Sequence, residues 1–135
     1  MYLLDTNVVS EFRRTRPHGA VVAWIETIRP GDVHLPAVVV GELQTGIERV
    51  RSNDALKASQ FDIWLTKILQ TYSVIPMGGE TFRIWARLMV SRQEHLYEDA
   101  MIAATALQHG LTVVTRNISD FELFSVPLLN PFETK

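Results

Sequence analysis

The chain begins with three apolar residues, Tyr2, Leu3 and Leu4, followed at once by Asp5-Thr6-Asn7. That break from a short apolar run to polar or turn residues recurs along the sequence. Val33-His34-Leu35 stops at Pro36, and Ser73-Val74-Ile75 stops at Pro76 and Gly78-Gly79. Thr112-Val113-Val114-Thr115 runs into Arg116-Asn117. Short apolar runs bounded by breakers predict four buried strands. Val126 to Leu129 predicts a fifth, at an edge, where Pro127 is tolerated.

Between these runs the apolar residues recur at helical spacing. A short helix over 7–13 follows the first strand. Val21, Trp24, Ile25 and Ile28 mark a second, ended by Pro30-Gly31. A third runs from Ala37 to about Arg51, with Val39, Leu43, Ile47 and Val50 on one side. Residues 54–71 form a fourth, whose stripe of Phe61, Trp64, Leu65, Ile68 and Leu69 reads as core. Phe82, Trp85, Ala86 and Met89 mark a fifth, running to about Gln93. Residues 98–109 are apolar nearly all round, so that helix is buried, and its alanines allow close approach to a sheet. Gly110 follows as a stop.

Strands alternating with helices predict an α/β fold: a three-layer α/β/α sandwich on a short, mainly parallel central sheet. No repeat, linker or low-complexity stretch divides residues 1–135, so one domain is expected. No glycine-rich phosphate loop follows the first strand, which argues against a nucleotide cofactor.

Composition narrows the setting. Apolar residues make up 47% and charged residues 21%, an ordinary globular balance. There is no cysteine, which removes disulfides and cysteine-based zinc sites. No apolar run approaches the roughly 18 residues of a membrane span. No basic-then-apolar leader opens the chain, and the expectation is a cytoplasmic protein without membrane contact. The formal net charge of −2 argues weakly against a broad nucleic-acid binder but not against a nuclease. Clustered carboxylates lower the count, and bound cations restore positive charge locally. The arginines are uneven: Arg13, Arg14 and Arg16 cluster early, and Arg83, Arg87 and Arg92 lie along one later segment.

Four acids stand where chain elements enter or leave the predicted core. Asp5 ends the first strand, and Asp120 follows the fourth by a few residues. Strand ends of one parallel sheet open on one edge, so these two can meet. Glu42 borders the apolar face of its helix, between Val38, Val39 and Gly46. Gly41 and Gly46 each cost about 1 kcal/mol in a helix interior, which implies that something approaches that helix closely. Asp99 opens the most buried helix, where an acid also complements the helix dipole. Adjacent residues point about 100° apart, so Glu98 and Asp99 cannot serve one target equally. Each acid alone is weak, and together they suggest a metal site. Oxygen ligands without cysteine or paired histidines favour Mg²⁺, with Mn²⁺ able to substitute. His18, His34 and His109 show no ligand pairing, and His95, four residues before Asp99, reads as coincidence.

At this point the residues resemble a known family, the PIN-domain nucleases, and within it the VapC toxins and their FitB-like branch. The pieces are Leu4-Asp5-Thr6-Asn7, then Gly41-Glu42-Leu43 with Gly46-Ile47, then Asp99 to Ala106. Val114-Thr115-Arg116-Asn117 with Asp120-Phe121 and Leu129-Asn130-Pro131-Phe132 complete the set. The resemblance implies that Asp5, Glu42, Asp99 and Asp120 form a catalytic metal site, Glu42 directly or through water. It implies supporting roles for Thr6, Asn7, Thr115 and Asn117. It also implies a Mg²⁺-dependent endoribonuclease, an RNA substrate, a cognate antitoxin and a homodimer. Thr6 and Asn7 are expected to orient Asp5. Two departures stand out: Ala37 and Val38 replace the usual Ser or Thr at the start of the third helix, and Glu98 adds an acid. Glu98 reads best as a plain helix-start charge. Arg116 has two readings, a contact to RNA phosphate or an ion pair with a nearby acid.

Two other functions compete. A Mg²⁺-dependent phosphatase or phosphotransfer domain also carries an acid after its first strand, but wants a second acid two residues on and a late lysine. Position 7 is Asn, and the lysines are Lys57, Lys67 and Lys135. A non-catalytic module of the same fold is the other rival, against which four intact acids speak. Four carboxylates in one pocket predict at least one raised pKa without metal.

Overall fold

The computed structural model describes residues 1–133, and Lys135 lies outside them. The elements in order are β1 (Tyr2–Leu4), α1 (Thr6–Val9), α2 (Gly19–Glu26), β2 (Val33–Pro36) and α3 (Ala37–Arg51). Then come α4 (Ala55–Thr71), β3 (Ser73–Ile75), α5 (Gly79–Leu88) and α6 (Tyr97–His109). β4 (Thr112–Val114), α7 (Ile118–Glu122) and β5 (Leu128–Leu129) complete the chain. A 3₁₀ turn over Ser10–Arg13 prolongs α1.

The strand order is β3-β2-β1-β4-β5, and every pairing is parallel. The fold is the expected three-layer sandwich. β1 is central, with Leu3 paired to His34 on one side and Val113 on the other. The chain lays β2 and β3 to one side of β1, then β4 and β5 to the other. The order therefore reverses at the β1–β4 pair, the switch point outside whose carboxyl ends open α/β sheets bind ligands. Leu4 pairs with Val114, so Asp5 and Thr115 emerge side by side there. The Asp5 N–H donates to the Val114 carbonyl at 3.0 Å.

The core explains why this edge is rigid. Leu3, Leu4, Val33, Leu35, Val113 and Val114 are all fully buried, as a sheet covered on both faces requires. In α6, Ala100, Ile102, Ala103, Ala104 and Ala106 are also fully buried, as its all-round apolar pattern predicted. Gly110 ends the helix at φ +66°, in the left-handed region that favours glycine. Trp64 and Trp85 pack half-buried against the core, and the Trp85 indole N–H donates to the Tyr97 carbonyl.

Some expectations need correction. Helix α5 stops at Leu88 rather than near Gln93, and the chain turns through Ser91 at φ +61°. The fifth strand holds two residues, not four; Pro127 serves only as an acceptor, for the Val113 N–H. Helix α7 was not anticipated, because five residues are too few to show a period. No heavy atom among the described residues lies within 4 Å of a Cβ built at Gly41 or Gly46, so no part of the fold crowds them. Among the described residues no helix is long and apolar enough to cross a membrane.

Candidate functional site

Asp5 is 5% exposed, and its carboxylate is held from its own strand end and from that of β4. Oδ1 accepts the Thr6 N–H at 2.7 Å, which also caps α1. Oδ2 accepts the Asn7 side-chain amide at 3.0 Å and the Thr115 hydroxyl at 2.8 Å. Thr115 is fully buried, and its oxygen accepts the Asn117 N–H at 3.0 Å. Asn7 Oδ1 in turn accepts the Arg116 N–H at 3.1 Å. The predicted supporting residues thus form one network behind one carboxylate, with its orientation fixed before any ligand arrives. Asn117 contributes through its backbone; its side chain makes no hydrogen bond among the described residues.

Thr6 has a second job that the sequence did not show. Its hydroxyl donates to Glu42 Oε2 at 2.8 Å, tying α1 to α3 and aiming Glu42 toward the β1 end. Helix α3 starts at Ala37, and Pro36 at its cap position gives no side-chain cap, in keeping with the absent Ser or Thr.

The acids share one electrostatic neighbourhood. Burial pushes the Asp5 carboxyl up, against the pull of Thr115, Thr6 and Asn7, and Asp120 adds to the rise. Burial likewise pushes Asp99 up to about 6, with Asp5, Asp120 and Glu98 contributing. Glu42 rises to about 7, first from burial, then from Glu98 and Asp5, while its Thr6 hydrogen bond opposes the shift. The expectation of a raised pKa is met three times. Asp5 is coupled to Asp99, Asp120 and Glu42, and Glu98 acts on both Glu42 and Asp99.

Glu98 therefore does more than open a helix. It lines a groove of about 500 Å³ with Thr6, Val38, Gly41, Glu42, Thr45 and Arg49. The 100° step between neighbours in α6 sends Asp99 toward Asp5 and Glu98 toward Glu42. An acid directly before Asp99 was the visible signal, but sequence alone does not say which way each carboxylate turns. Gly41 faces this groove, so the open space at that position belongs to solvent.

Arg116 forms no ion pair among the described residues. Its guanidinium lies 4.2 Å from the centroid of the Phe132 ring, which fixes it beside the Asn7 network. The ion-pair reading of Arg116 has no support in this geometry.

No three His, Asp or Glu side chains among the described residues are close enough to enclose an ion as they stand. The donor set still fits a hard divalent cation in its chemistry. It is all oxygen, three of its carboxyls are raised, and none of Asp5, Glu42, Asp99 or Asp120 has a basic partner among the described residues.

Comparison with known proteins decides the family. The PIN-domain model matches residues 2–123. The chain belongs to the PIN-domain family. The PIN-domain protein "Toxin FitB" of Neisseria gonorrhoeae is 36% identical, over 98% of this chain and 99% of its own length. "VapC ribonuclease Y4jK" of Sinorhizobium fredii is 32% identical, again over 98% and 99%. The crystal structure of FitAcB from N. gonorrhoeae superimposes with a TM-score of 0.89 at 34% identity, covering 99% of this chain and all of that one. The resemblance drawn from the motifs therefore holds across the whole PIN domain, including its FitB-like branch.

Proposed function

We propose that residues 1–135 act as a single-domain, metal-dependent endoribonuclease, the toxin of a toxin–antitoxin pair. The observation that carries this is the charge coupling of Asp5 with Asp99, Asp120 and Glu42 at the switch point of a PIN sheet, with no basic residue paired to any of the four among the described residues. Support comes from relatives named a toxin and a ribonuclease at 36% and 32% identity.

Asp5, Asp99 and Asp120 would hold Mg²⁺, or Mn²⁺ in its place, with Glu42 in contact directly or through water. When bound, such an ion supplies Lewis acidity toward water and phosphate oxygen. The chain's own residues do the positioning. Thr115, Asn7 and the Thr6 N–H lock Asp5 in one orientation, and the Thr6 hydroxyl aims Glu42. Arg116, held over the Phe132 ring, offers its guanidinium N–H groups to a phosphate beside the acids. Water attacks phosphorus in line, the P–O3′ bond breaks, and the products are a 5′-phosphate and a 3′-hydroxyl. The protein works in the cytoplasm as a homodimer, restrained by a cognate antitoxin.

The test is Mg²⁺-dependent cleavage of RNA by the wild type and by Asp5→Asn, purified identically. The wild type cleaves and the variant, still folded, does not. Equal cleavage by both would mean a contaminant or a misassigned site, and would leave the non-catalytic module as the better reading.

A further inference from the structure

A second groove, outside the acids, carries the opposite charge. It encloses about 760 Å³ and is lined by Arg13, Arg14, Thr15, Arg16, Lys57 and Phe61. Every charged residue in that lining is basic, in a chain whose net charge is −2. These are the clustered arginines of the sequence, joined by a lysine and an aromatic ring from α4.

Two features show that the cations are placed rather than merely solvated. Arg13 lies 4.7 Å from the centroid of the Phe61 ring, and Lys57 Nζ lies 5.7 Å from it. One ring thus holds two cations that would otherwise repel each other. The second feature is Glu11, 5% exposed, whose Oε1 accepts the His18 N–H at 2.9 Å. Its Oε2 meets Arg14 Nε at 3.3 Å. A buried carboxylate is costly unless it is paired. Here it fastens the basic loop at Arg14 and at His18.

We propose that this groove binds the backbone of a single-stranded RNA segment flanking the scissile phosphate, an inference that rests on the nuclease reading above. The acidic site by itself repels a polyanion. A nearby set of fixed cations reverses that field and holds the strand while one phosphate reaches the acids. The chain links the two places directly: Asp5 caps α1, and the turn that prolongs α1 ends at Arg13. Four α-helical residues at about 1.5 Å and four 3₁₀ residues at about 2 Å put Arg13 roughly 14 Å along that path, a span of a few nucleotides. Phe61 is a positioning residue in this scheme. It orders Arg13 and Lys57 and need not touch RNA. An acidic protein segment is the competing occupant, and the short helical path between Asp5 and Arg13 favours the nucleic acid.

The experiment measures anisotropy of a fluorescein-labelled single-stranded RNA across a salt series, with every protein in an Asp5→Asn background to prevent cleavage. Arg13→Gln/Arg16→Gln/Lys57→Gln removes three exposed cations without touching the core, so the melting temperature stays that of the background. Binding at low salt weakens by at least about tenfold, and the slope of log K against log salt falls by about 2, near 0.7 per lost contact on a single strand. Phe61→Leu weakens binding less and leaves the slope unchanged, because all charges remain. With Asp5 intact and Mg²⁺ present, the triple substitution raises KM and leaves kcat within about a factor of two. An unchanged slope and unchanged KM in the triple variant overturn the groove assignment while the nuclease reading stands. Loss of binding to a labelled poly-glutamate peptide with RNA binding intact also overturns it, in favour of a protein segment. No RNA binding by the background protein and no cleavage by the wild type overturn both.

Discussion

The same side chains behave in opposite ways in two parts of this PIN domain. On the α3–α4 hairpin, Glu48 and Asp62 meet Arg51 at 2.8 and 2.5 Å, all at the surface. Glu48 is held down at about 2, chiefly by the Arg51 hydrogen bonds. At the sheet end Asp5, Glu42 and Asp99 are pushed up, and none has an arginine or lysine partner among the described residues. The hairpin acids have their counter-charge built in, whereas Asp5 is buried and Glu42 and Asp99 half-buried without one among the described residues, and only Asp120 of the four lies exposed. Burial without a counter-charge opposes folding, so an arrangement of this kind points to a ligand that supplies the charge.

The largest effect expected at the site is from Asp5→Asn or Asp99→Asn. Either removes a carboxylate from the set and lowers Mg²⁺-dependent RNA cleavage by more than about a hundredfold, beyond the usual loss for a residue that only supports a ligand. Next is Thr115→Val, which deletes the 2.8 Å bond to Asp5 from a fully buried position. Cleavage falls about 10–100-fold, and added Mg²⁺ recovers part of it if the loss lies in metal affinity. A full-rate Thr115→Val enzyme would show that the orientation of Asp5 does not matter.

The pH dependence of stability separates the two regions by sign. Glu42 at about 7 and Asp99 at about 6 lie above the ordinary carboxylate range near 4. Groups raised in the folded state favour folding while they are protonated. Their contribution is complete below pH 4 and is lost as pH rises through 6 and 7. Glu48 has the opposite sign: its contribution is present at neutral pH and is lost as pH falls from about 4 toward 2. In metal-free buffer the melting temperature therefore drops by a few degrees from pH 5 to pH 8, and Glu42→Gln flattens that drop. Thermal scans at several pH values check both statements. The smallest effect belongs to Arg51→Met on the hairpin. It leaves cleavage unchanged and lowers stability slightly, less so at high salt, as exposed ion pairs do.

What could be read in the sequence follows the range of the interactions. The four main strands, the buried α6 and its Gly110 stop are written in local patterns, so breakers and periods suffice to place them. Asp5 and Asp99 were visible as acids at element ends, Glu42 at the border of an apolar helix face and Asp120 just past a strand, and all four as pieces of a family motif. The rest depends on contacts between distant residues. The Thr6–Glu42 bond spans 36 positions and the Thr115–Asp5 bond 110, and no local pattern announces either. Glu98 looked like a helix-start charge because its neighbour across the groove comes from α3. Helix α7 escaped for a different reason, being shorter than the window in which a period shows.

The central claim is that the unpaired acids are a divalent-cation site. Calorimetric titration of Mn²⁺ into metal-free wild-type protein and Asp5→Asn, each in two buffers of different ionisation heat, tests it directly. The wild type is expected to bind with proton release in the pH 6–7 range, since raised carboxyls must ionise to take up the ion, and Asp5→Asn to lose most of that binding. Wild-type protein that takes up no Mn²⁺, or takes it up equally well without Asp5, would contradict the claim.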